Sequence, residues 1–432
     1  MRFRTDGTWN RVGPARRMVL AGSPLRVFRL TAAGARVCSS IESGEDVAPS
    51  ALTARLLAAG AVHPVPTVSE CTPGRGDITV ITPQLGGSAH SDRDITVDDG
   101  SDPPVGGATI RLDHNRGPGA ARNAGRRHAS TSILAFVDAD VSFPDSDWID
   151  RLLPHFDDPR VGLVAPRVIG DPTASLDLGA DPARIHAGSR VSYVPAAAIV
   201  VRASAFDDVG GFDEGLRFGE DVDLVWRLDD AGWRCRYEPA ANVHHAPRAT
   251  LGARLRQHAG YGSSAAPLAV RHPRSLAPMR ANPWMATSWA TMGLGHPVVA
   301  SLLAVINAGL VARRLNGVPG SLIARLTADA WLAGAKQSAA VIRRVWWPLA
   351  LCGCLVSRRM RIATVAALVV GGRSTPTDLA YGVGVWRGMF RHRTARPIFP
   401  RISAWAPERQ EPRRGESPDR RPGVADQPPM AR

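Results

Sequence analysis

Residues 133–140 read ILAFVDAD, an apolar run that ends in two aspartates separated by one residue. Side chains repeat every second residue along an extended chain, so Asp138 and Asp140 point to the same side of the predicted strand. Two carboxylates held this close repel each other unless a cation lies between them, and Mg²⁺ or Mn²⁺ suits such ligands. A turn or a helix cap is the other common use of this pattern. The stretch predicts a buried strand with a candidate metal site at its carboxyl end.

Two further acidic motifs lie on either side of this strand in the sequence. DITVDDGSD at residues 94–102 again places acids at the end of an apolar run, and RFGEDVDLVWRL at 217–228 places acids at the start of a helical pattern. Acids in that helical position also suit the dipole of a helix, so this motif alone fits a structural role as well. HNRGPGAARNAGRRHA at 114–129 precedes ILAFVDAD, and VHH at 243–245 follows the third motif.

The segment from residue 77 alternates between strand and helix patterns. Its predicted strands are DITVITP, DITVDD, TIRLDH, ILAFVDAD and VGLVAPRV, and its predicted helices are ARNAGRRHA and DWIDRLL. Such alternation predicts an α/β fold with a mostly parallel, Rossmann-like sheet. Ligands of these sheets bind beyond the carboxyl ends of the strands, which is where the first two acidic motifs fall.

The ordered motifs over residues 76–246 resemble those of the family-2 glycosyltransferases of the GT-A type. The resemblance implies a metal-dependent, inverting transfer of sugar from a nucleotide-sugar donor, with Mn²⁺ or Mg²⁺ as cofactor. It implies that Asp221 is the general base, with Glu220 beside it, and that His245 is the third metal ligand after Asp138 and Asp140. His244 remains the rival for that place. The nucleotide-sugar site that it implies consists of Pro83, Asp98, Asp99, Arg122 and Asp138. Arg122 could instead pin Asp99 or Asp138 in place.

The third acidic motif and its flanks read VPAAAIVVR at 194–202 and VGGFDEGLRFGEDVDLVWRLDDAGWRCRYEP at 209–239. This wording looks most like the glycosyltransferases of the mycofactocin system. That resemblance implies UDP-glucose as donor, a peptide-derived redox cofactor, pre-mycofactocin, as small-molecule acceptor, and a β-linked glucose chain as product. Two alternatives stay open. One is a membrane glycosyltransferase that acts on cell-envelope or polyprenol-linked sugars. The other is a catalytically impaired member that serves as a binding protein or scaffold, because only QLGGSAHSDR (84–93) fills the place where the family usually has a helix.

The domain prediction has five parts. Residues 1–66 suggest a small winged-helix-like domain for peptide recognition or a structural adapter, with helices starting after Thr31 and Ser50. The remaining parts are a linker at 67–76, the GT-A domain at 77–250, a helical, hydrophobic, membrane-associated region at 251–405, and a disordered tail at 406–432. The region after 250 contains 32 residues between Arg280 and Arg313 without an Asp, Glu, Lys or Arg, which is more than the roughly 20 needed to cross a bilayer.

The composition bounds the partners and the compartment. The net charge is +14, and Lys336 is the only lysine. The arginines are scattered and not interleaved with stacking aromatics, so no nucleic-acid partner is expected, whereas a basic face toward membrane lipid is. Five cysteines without a Cys-x-x-Cys pair fit a reducing compartment. The N-terminus lacks a secretory apolar core, so we expect the protein at the cell membrane with its catalytic domain in the cytoplasm.

Overall fold

The computed structural model describes residues 1–89, 93–170, 176–246 and 250–403. The predicted disordered tail at 406–432 lies outside the described residues. Three groups of elements follow one another along the chain: a small α/β unit, a central sheet with helices, and a series of helices. The last group confirms the predicted C-terminal helical region.

The N-terminal unit contains two small sheets and two helices. Thr31 and Ser50 cap the helices through hydrogen bonds from Gly34 N and Thr53 N, as their positions in the sequence predict. Strand β1 pairs with β5, and β2, β3 and β4 form an antiparallel sheet. The winged-helix likeness stays a prediction. The elements are β1 (Arg2–Thr5), β2 (Asn10–Val12), β3 (Met18–Ala21), β4 (Arg26–Arg29), α1 (Ala32–Glu42), α2 (Ala51–Ala58) and β5 (Val62–Val65).

The central unit is built on one large sheet. Its strand order is β10-β14-β11-β13-β9-β6-β7-β8, with β12 paired to β14. The elements are β6 (Ile78–Gln84), β7 (Ile95–Asp98), β8 (Ile110–Arg111), α3 (Pro118–His128), β9 (Ile133–Val137), β10 (Val141–Ser142), β11 (Val161–Ile169), β12 (Ala183–Arg184), β13 (Ala198–Arg202), α4 (Ala203–Asp208), α5 (Glu220–Asp230) and β14 (Arg234–His245).

The α/β fold is confirmed, but the prediction of a mostly parallel sheet is wrong. Strands β6, β7, β8 and β9 are mutually parallel, as are β11 and β14. Strand β13 runs antiparallel between β9 and β11, and β10 and β12 pair antiparallel with β14. The sheet is therefore mixed. An apolar run buried on both faces looks the same in either direction, so the sequence of β13 does not reveal its orientation.

The connection between β6 and β7 contains no helix in its described residues, 85–89 and 93–94, as its short length predicts. Gln84 closes this loop by donating from Nε2 to the carbonyl oxygens of Gly86 (3.0 Å) and Ser88 (2.7 Å). Gly86 N then donates to Ser101 Oγ at 2.8 Å. A hydrogen-bonded loop thus takes the place of a covering helix next to the DDGSD motif.

The predicted helix DWIDRLL (147–153) is wrong. The segment forms turns, followed by a 3₁₀ helix at Leu153–Asp157. Pro154 lacks the N–H that would continue an α-helix begun at Asp147, so too few residues remain to nucleate one. Trp148 and Leu152 are nevertheless buried against the sheet.

The C-terminal group contains eight α-helices and one short two-stranded sheet within residues 250–403. A continuous helical stretch runs from α10 through a π-helical turn at Ile342–Trp346 into α11. The elements are α6 (Leu251–Ser263), α7 (Ala265–Arg271), β15 (Arg280–Ala281), α8 (Pro283–Gly293), α9 (Pro297–Arg314), α10 (Gly320–Val341), α11 (Trp347–Val356), α12 (Arg358–Gly371), α13 (Thr375–His392) and β16 (Arg401–Ile402).

Glycines bring α13 close against α6. A Cβ atom at Gly384 would collide with the carbonyl group of Ala259, and one at Gly388 would crowd that of Ser263. Helix α6 in turn packs on the segment before α5, since a Cβ at Gly260 would collide with the Phe218 ring. The helical region is thereby joined to the acidic end of α5.

The uncharged stretch between Arg280 and Arg313 is not one helix. It divides into α8 and α9 at Gly295, whose φ of 80° favours glycine. Among the described residues, two helical stretches are long and apolar enough to cross a membrane: Pro297–Arg314, with 6% of its apolar window buried, and Gly320–Val356, with 22%.

Candidate active site

Three candidate metal ligands meet at one edge of the sheet. Asp138 and Asp140 follow β9, and the antiparallel pairing of β10 with β14 sets Val141 opposite His245. One ligand atom from each of Asp138, Asp140 and His245 lies within 4.8 Å of the other two, and His245 Nε2 is 3.3 Å from Asp140 Oδ1. Two carboxylates and an imidazole suit Mn²⁺, and the set is open enough for further ligands.

The same strand pairing distinguishes the two neighbouring histidines. His244 lies opposite Ser142, one residue further from the aspartates, and it is exposed to solvent. The side chain of His245 is 10% exposed. Because successive side chains of a strand point to opposite faces, only one of the two can join the aspartates. The structure therefore places His245 with them, and its role as a ligand stays a prediction.

A buried arginine connects this site to the acidic end of α5. The Arg122 side chain is 3% exposed, and its Nη2 donates to Asp138 Oδ1 at 2.6 Å while Nη1 donates to Glu220 Oε1 at 3.1 Å. Nη2 also lies 3.3 Å from the carbonyl oxygen of Ala196. The guanidinium thus holds side chains of the protein. This geometry favours the pinning of Asp138 over a direct contact of Arg122 with a nucleotide.

Glu220 and Asp221 open α5 but differ in access. Glu220 is 8% exposed and bonded to Arg122, whereas Asp221 is less buried. Asp221 Oδ1 accepts a hydrogen bond from Val222 N at 2.8 Å, and Oδ2 accepts one from Ala196 N at 3.4 Å. Asp221 is therefore the acid that a second substrate could reach.

The environment keeps both acids harder to ionise than usual. Burial, together with the charge of Asp221, raises the pKa of Glu220 to about 7 although Arg122 opposes the shift. Burial also raises the pKa of Asp221, against the hydrogen bond from Val222 N and the charge of Arg122. A carboxylate of raised pKa is a stronger base, which suits proton abstraction near neutral pH.

The sequence motif also contains Asp223, which has a different surrounding. Asp223 is 1% exposed, and His272 Nε2 lies 2.9 Å from its Oδ1 while Arg227 Nε donates to its Oδ2 at 2.7 Å. The pKa of Asp223 is lowered: burial opposes ionisation, but these partners outweigh it. Asp223 thus fixes α5 against α7. The i,i+4 spacing of Asp223 and Arg227 predicts their ion pair, whereas nothing in the neighbouring sequence predicts the contact with His272.

The two aspartates of the DDGSD motif are engaged inside the protein. Asp98 is 0% exposed, and it accepts hydrogen bonds from Ser101 N (2.9 Å), Val105 N (3.1 Å) and Arg111 Nη1 (2.9 Å). Burial opposes ionisation of Asp98, but these bonds outweigh it and lower its pKa. These contacts give Asp98 a structural role in the loop, so a direct contact with a nucleotide is not what its geometry favours.

Asp99 organises the entry to α3. Its Oδ1 accepts from Arg116 N at 2.7 Å and its Oδ2 from Gly117 N at 2.9 Å. Pro83 lies half-buried near the end of β6, opposite Val97 of the strand that carries these aspartates. Asp99 and Pro83 therefore border the same edge of the sheet as the metal-ligand candidates, and their contact with a nucleoside stays a prediction.

Comparison with known proteins gives matches of two kinds. The sequence model of Glycosyl transferase family 2 matches residues 95–180. The pre-mycofactocin glycosyltransferase of Mycobacterium tuberculosis strain H37Rv is 39% identical over 447 aligned positions, which cover 89% of this chain and 94% of that protein. A second M. tuberculosis protein, the N-acetylglucosaminyl-diphospho-decaprenol L-rhamnosyltransferase, is 47% identical over 62 residues, or 14% of this chain and 20% of that protein.

Among solved structures, a mannosyltransferase from Pyrobaculum calidifontis in complex with GDP-Man and Mn²⁺ is similar to this chain. It is 17% identical, with a TM-score of 0.39, and the match covers 72% of this chain and 87% of the other.

The metal-ligand candidates can be tested by direct binding of Mn²⁺. We expect Asp140→Asn and His245→Gln to weaken Mn²⁺ binding by about tenfold or more, because even loss of a residue behind a ligand typically costs 10–100-fold. Electron paramagnetic resonance titration of free Mn²⁺ against the full-length protein measures this. His244→Gln is the matched control and should bind like wild type. A larger loss with His244→Gln than with His245→Gln would move the ligand to His244.

Proposed function

This chain belongs to glycosyl transferase family 2 and is a glycosyltransferase, and we propose that it transfers glucose from UDP-glucose onto pre-mycofactocin with the help of a divalent cation. One observation carries the proposal: Arg122 joins the candidate metal ligand Asp138 to the acid pair of α5 within a single site. Sugar transfer from a nucleotide diphosphate requires both halves, because the leaving phosphates need a counter-charge and the acceptor hydroxyl needs a base.

The acceptor is proposed from the relative in M. tuberculosis. That protein is named for pre-mycofactocin, and the match extends over nearly the whole of both chains. The donor is proposed from the resemblance of the motifs to this family. On the side of the nucleotide, Asp99 and Pro83 border the carboxyl edge of the sheet, where α/β folds bind nucleotides.

When bound at Asp138, Asp140 and His245, a divalent ion would act as a Lewis acid on the diphosphate of the donor. The protein then has to place a base. Asp221 takes the proton of the attacking acceptor hydroxyl, which bonds to the anomeric carbon on the face opposite the leaving UDP and inverts that centre to a β-linkage. Glu220 remains hydrogen-bonded to Arg122 and does not take the proton. The reaction yields UDP and the glucosylated acceptor, and repetition on the new sugar would build the β-linked chain.

We propose that residues 1–66 serve as an adapter or as a peptide-recognition domain. The unit contacts the catalytic domain, since Arg190 N donates to Ser23 Oγ at 2.6 Å and the Arg184 guanidinium donates to the carbonyl oxygen of Ala58. It also contacts the helical region, because Met18 and Leu20 share a hydrophobic cluster with the turn between α9 and α10. These two contacts support an adapter role.

A specific observation favours one alternative, the transfer of sugar to a polyprenol-linked acceptor. The rhamnosyltransferase that matches over 62 residues is named for a decaprenol substrate. The helical region of this chain also exposes many apolar side chains, which a lipid-linked acceptor would require. A scaffold without catalysis finds no such support, because the acid pair and the metal-ligand candidates are all in place.

The candidate base gives the first test of the function. Asp221→Asn should lower the turnover number by about 10²–10⁴, because the amide cannot accept the hydroxyl proton. Mn²⁺ and UDP should still bind to the variant. Asp230→Asn, at the far end of the same helix, is the matched control. Initial rates of glucose transfer together with calorimetric UDP titration separate the two effects. Turnover above a tenth of the wild-type value would remove Asp221 from this role.

We propose that the helical region attaches the protein to the membrane, with the catalytic domain on the cytoplasmic side. Helix α9 exposes 80% of Val298, 58% of Leu302 and 68% of Val305. Helix α12 also exposes an isoleucine and several valines. Exposed apolar surface of this extent marks a protein or membrane contact. Arg313 and Arg314 end α9, where cations suit the cytoplasmic lipid surface.

A vesicle flotation assay tests this attachment. Full-length protein should float with phospholipid vesicles in high salt, because apolar burial is insensitive to salt whereas electrostatic binding is screened. The double variant Leu302→Asp/Val305→Asp should lower the bound fraction by about tenfold or more, since one central charge costs about 2.5–3.5 kcal/mol. Val68→Asp, on the exposed linker, is the control. Release of the wild-type protein by salt alone would show that the apolar surface does not enter the bilayer.

A further inference from the structure

A tyrosine on the loop between β12 and β13 lies beside the acid pair. This loop is fixed to α5 on both sides of Tyr193: the Trp226 indole nitrogen donates to the carbonyl oxygen of Ser192 at 2.8 Å, and Ala196 N donates to Asp221 Oδ2 at 3.4 Å. Tyr193 itself is 40% exposed, so its ring is accessible next to the candidate base. Burial of its hydroxyl raises the pKa of Tyr193 to about 12.

The helical region brings a second tyrosine and an arginine toward the same end of α5, because α6 contacts both that end and α13. Tyr381 lies on α13 and Arg344 on the π-helical turn, and both groups, like Asp221, act electrostatically on the Tyr193 hydroxyl. The Arg344 guanidinium carbon lies 4.3 Å from the centre of the Tyr381 ring. This is within the range of a cation–π contact, which holds the guanidinium over the ring.

Helix packing brings the helix that carries Tyr381 close to the start of α5, where Tyr193 also lies. A Cβ at Gly262 of α6 would collide with the carbonyl group of Tyr381, and a Cβ at Gly219, just before α5, would crowd Ser264 at the end of α6. Helix α6 and its end therefore touch both the start of α5 and the helix that carries Tyr381. Tyr193 and the Arg344–Tyr381 pair thus lie around the same end of α5.

The positive charge of Arg344 is only partly neutralised within the protein. Asp378 Oδ2 lies 2.9 Å from Arg343 Nε, whereas Asp378 Oδ1 lies 3.6 Å from Arg344 Nε. One carboxylate shared by two guanidiniums leaves a positive charge, and the Arg344 side chain is 42% exposed. A partly exposed guanidinium stacked on an aromatic ring can still offer its outer N–H groups to an oxygen acceptor.

We propose that Tyr193, Arg344 and Tyr381 form the acceptor subsite and present the acceptor hydroxyl to Asp221. The two tyrosine rings would contact a flat amide or ring of the acceptor, and Arg344 would bind one of its carbonyl oxygens. These are the groups that a peptide-derived molecule carries. The proposal rests on the proposed function, and it makes the helical region a part of substrate recognition in addition to membrane attachment.

The subsite predicts a change in the KM for the acceptor without a change in the KM for the donor. With full-length, Mn²⁺-loaded protein, Arg344→Gln and Tyr193→Ala should each raise the KM for pre-mycofactocin about tenfold, the scale of a lost cation–π or stacking contact in an enclosed site. Tyr193→Phe should keep most of the affinity because it keeps the ring. Hydrolysis of UDP-glucose without acceptor should continue in all variants. Arg387→Gln, an exposed arginine on α13, is the matched control.

The outcomes separate this proposal from the proposed function. If wild-type protein glucosylates pre-mycofactocin and both variants keep its KM, or if the KM for UDP-glucose rises in parallel, the subsite is wrong while the function stands. If wild-type protein transfers no glucose to pre-mycofactocin, the function fails and the assignment of the acceptor falls with it. Melting curves identify any variant that fails to fold, and Tyr193→Ala, at an exposed side chain, then supplies the decision.

Discussion

The salt bridges of the buried Arg122 set the geometry of the whole site. An unpaired charge in the interior costs several kcal/mol, so Arg122 can occupy its place only with both Asp138 and Glu220 beside it. Asp138 follows β9 and Glu220 begins α5, which are far apart in the chain. Helix α3 presses Arg122 into this position, because a Cβ at Gly125 would collide with Ile81 of β6. The close contact of α3 with the sheet and the alignment of the two acidic motifs are therefore one constraint.

The charges around Arg122 also suit a site for a cation. Asp138, Glu220 and Asp221 all act on the buried Arg122 guanidinium, so carboxylates outnumber it there. Part of that excess is relieved by the raised pKa of Glu220, about 7, and of Asp221. A divalent ion among Asp138, Asp140 and His245 would relieve the rest and would bring the phosphates of a donor to the edge nearest the base. The helical region packs against the same end of α5, so the proposed acceptor subsite and the proposed membrane attachment would share one structural element.

Much of this arrangement follows from local sequence, and the exceptions have physical causes. The sequence ILAFVDAD predicts its strand and the paired aspartates, and Thr31 and Ser50 predict the starts of the helices that they cap. Strand direction is different: β13 is buried on both faces, so no side-chain alternation distinguishes antiparallel from parallel pairing. The prediction of a helix at 147–153 is wrong because Trp148 and Leu152 have helical spacing, but they are buried from turns that precede Pro154.

Contacts between distant segments were the least predictable part of the site. The choice of His245 over His244 depends on its register with β10, which the sequence does not reveal. His272 contacts Asp223, and Arg344 and Tyr381 belong to the proposed acceptor subsite, although the sequences of their helices look only apolar or basic. Arg122 lies in between: its motif marks it as important, but the choice between a nucleotide and Asp138 as its partner required the fold.

The pH dependence of the transfer rate in Arg122→Gln tests the central role of Arg122 most directly. In wild-type protein the rate should fall on the acidic side as Asp221 becomes protonated, while Tyr193 stays protonated throughout because its pKa is about 12. Arg122 opposes the raised pKa of both acids, so its removal should raise their pKa values further and move the acidic limb to higher pH. The account predicts this shift together with a lower maximal rate. An acidic limb at the wild-type pH would contradict it.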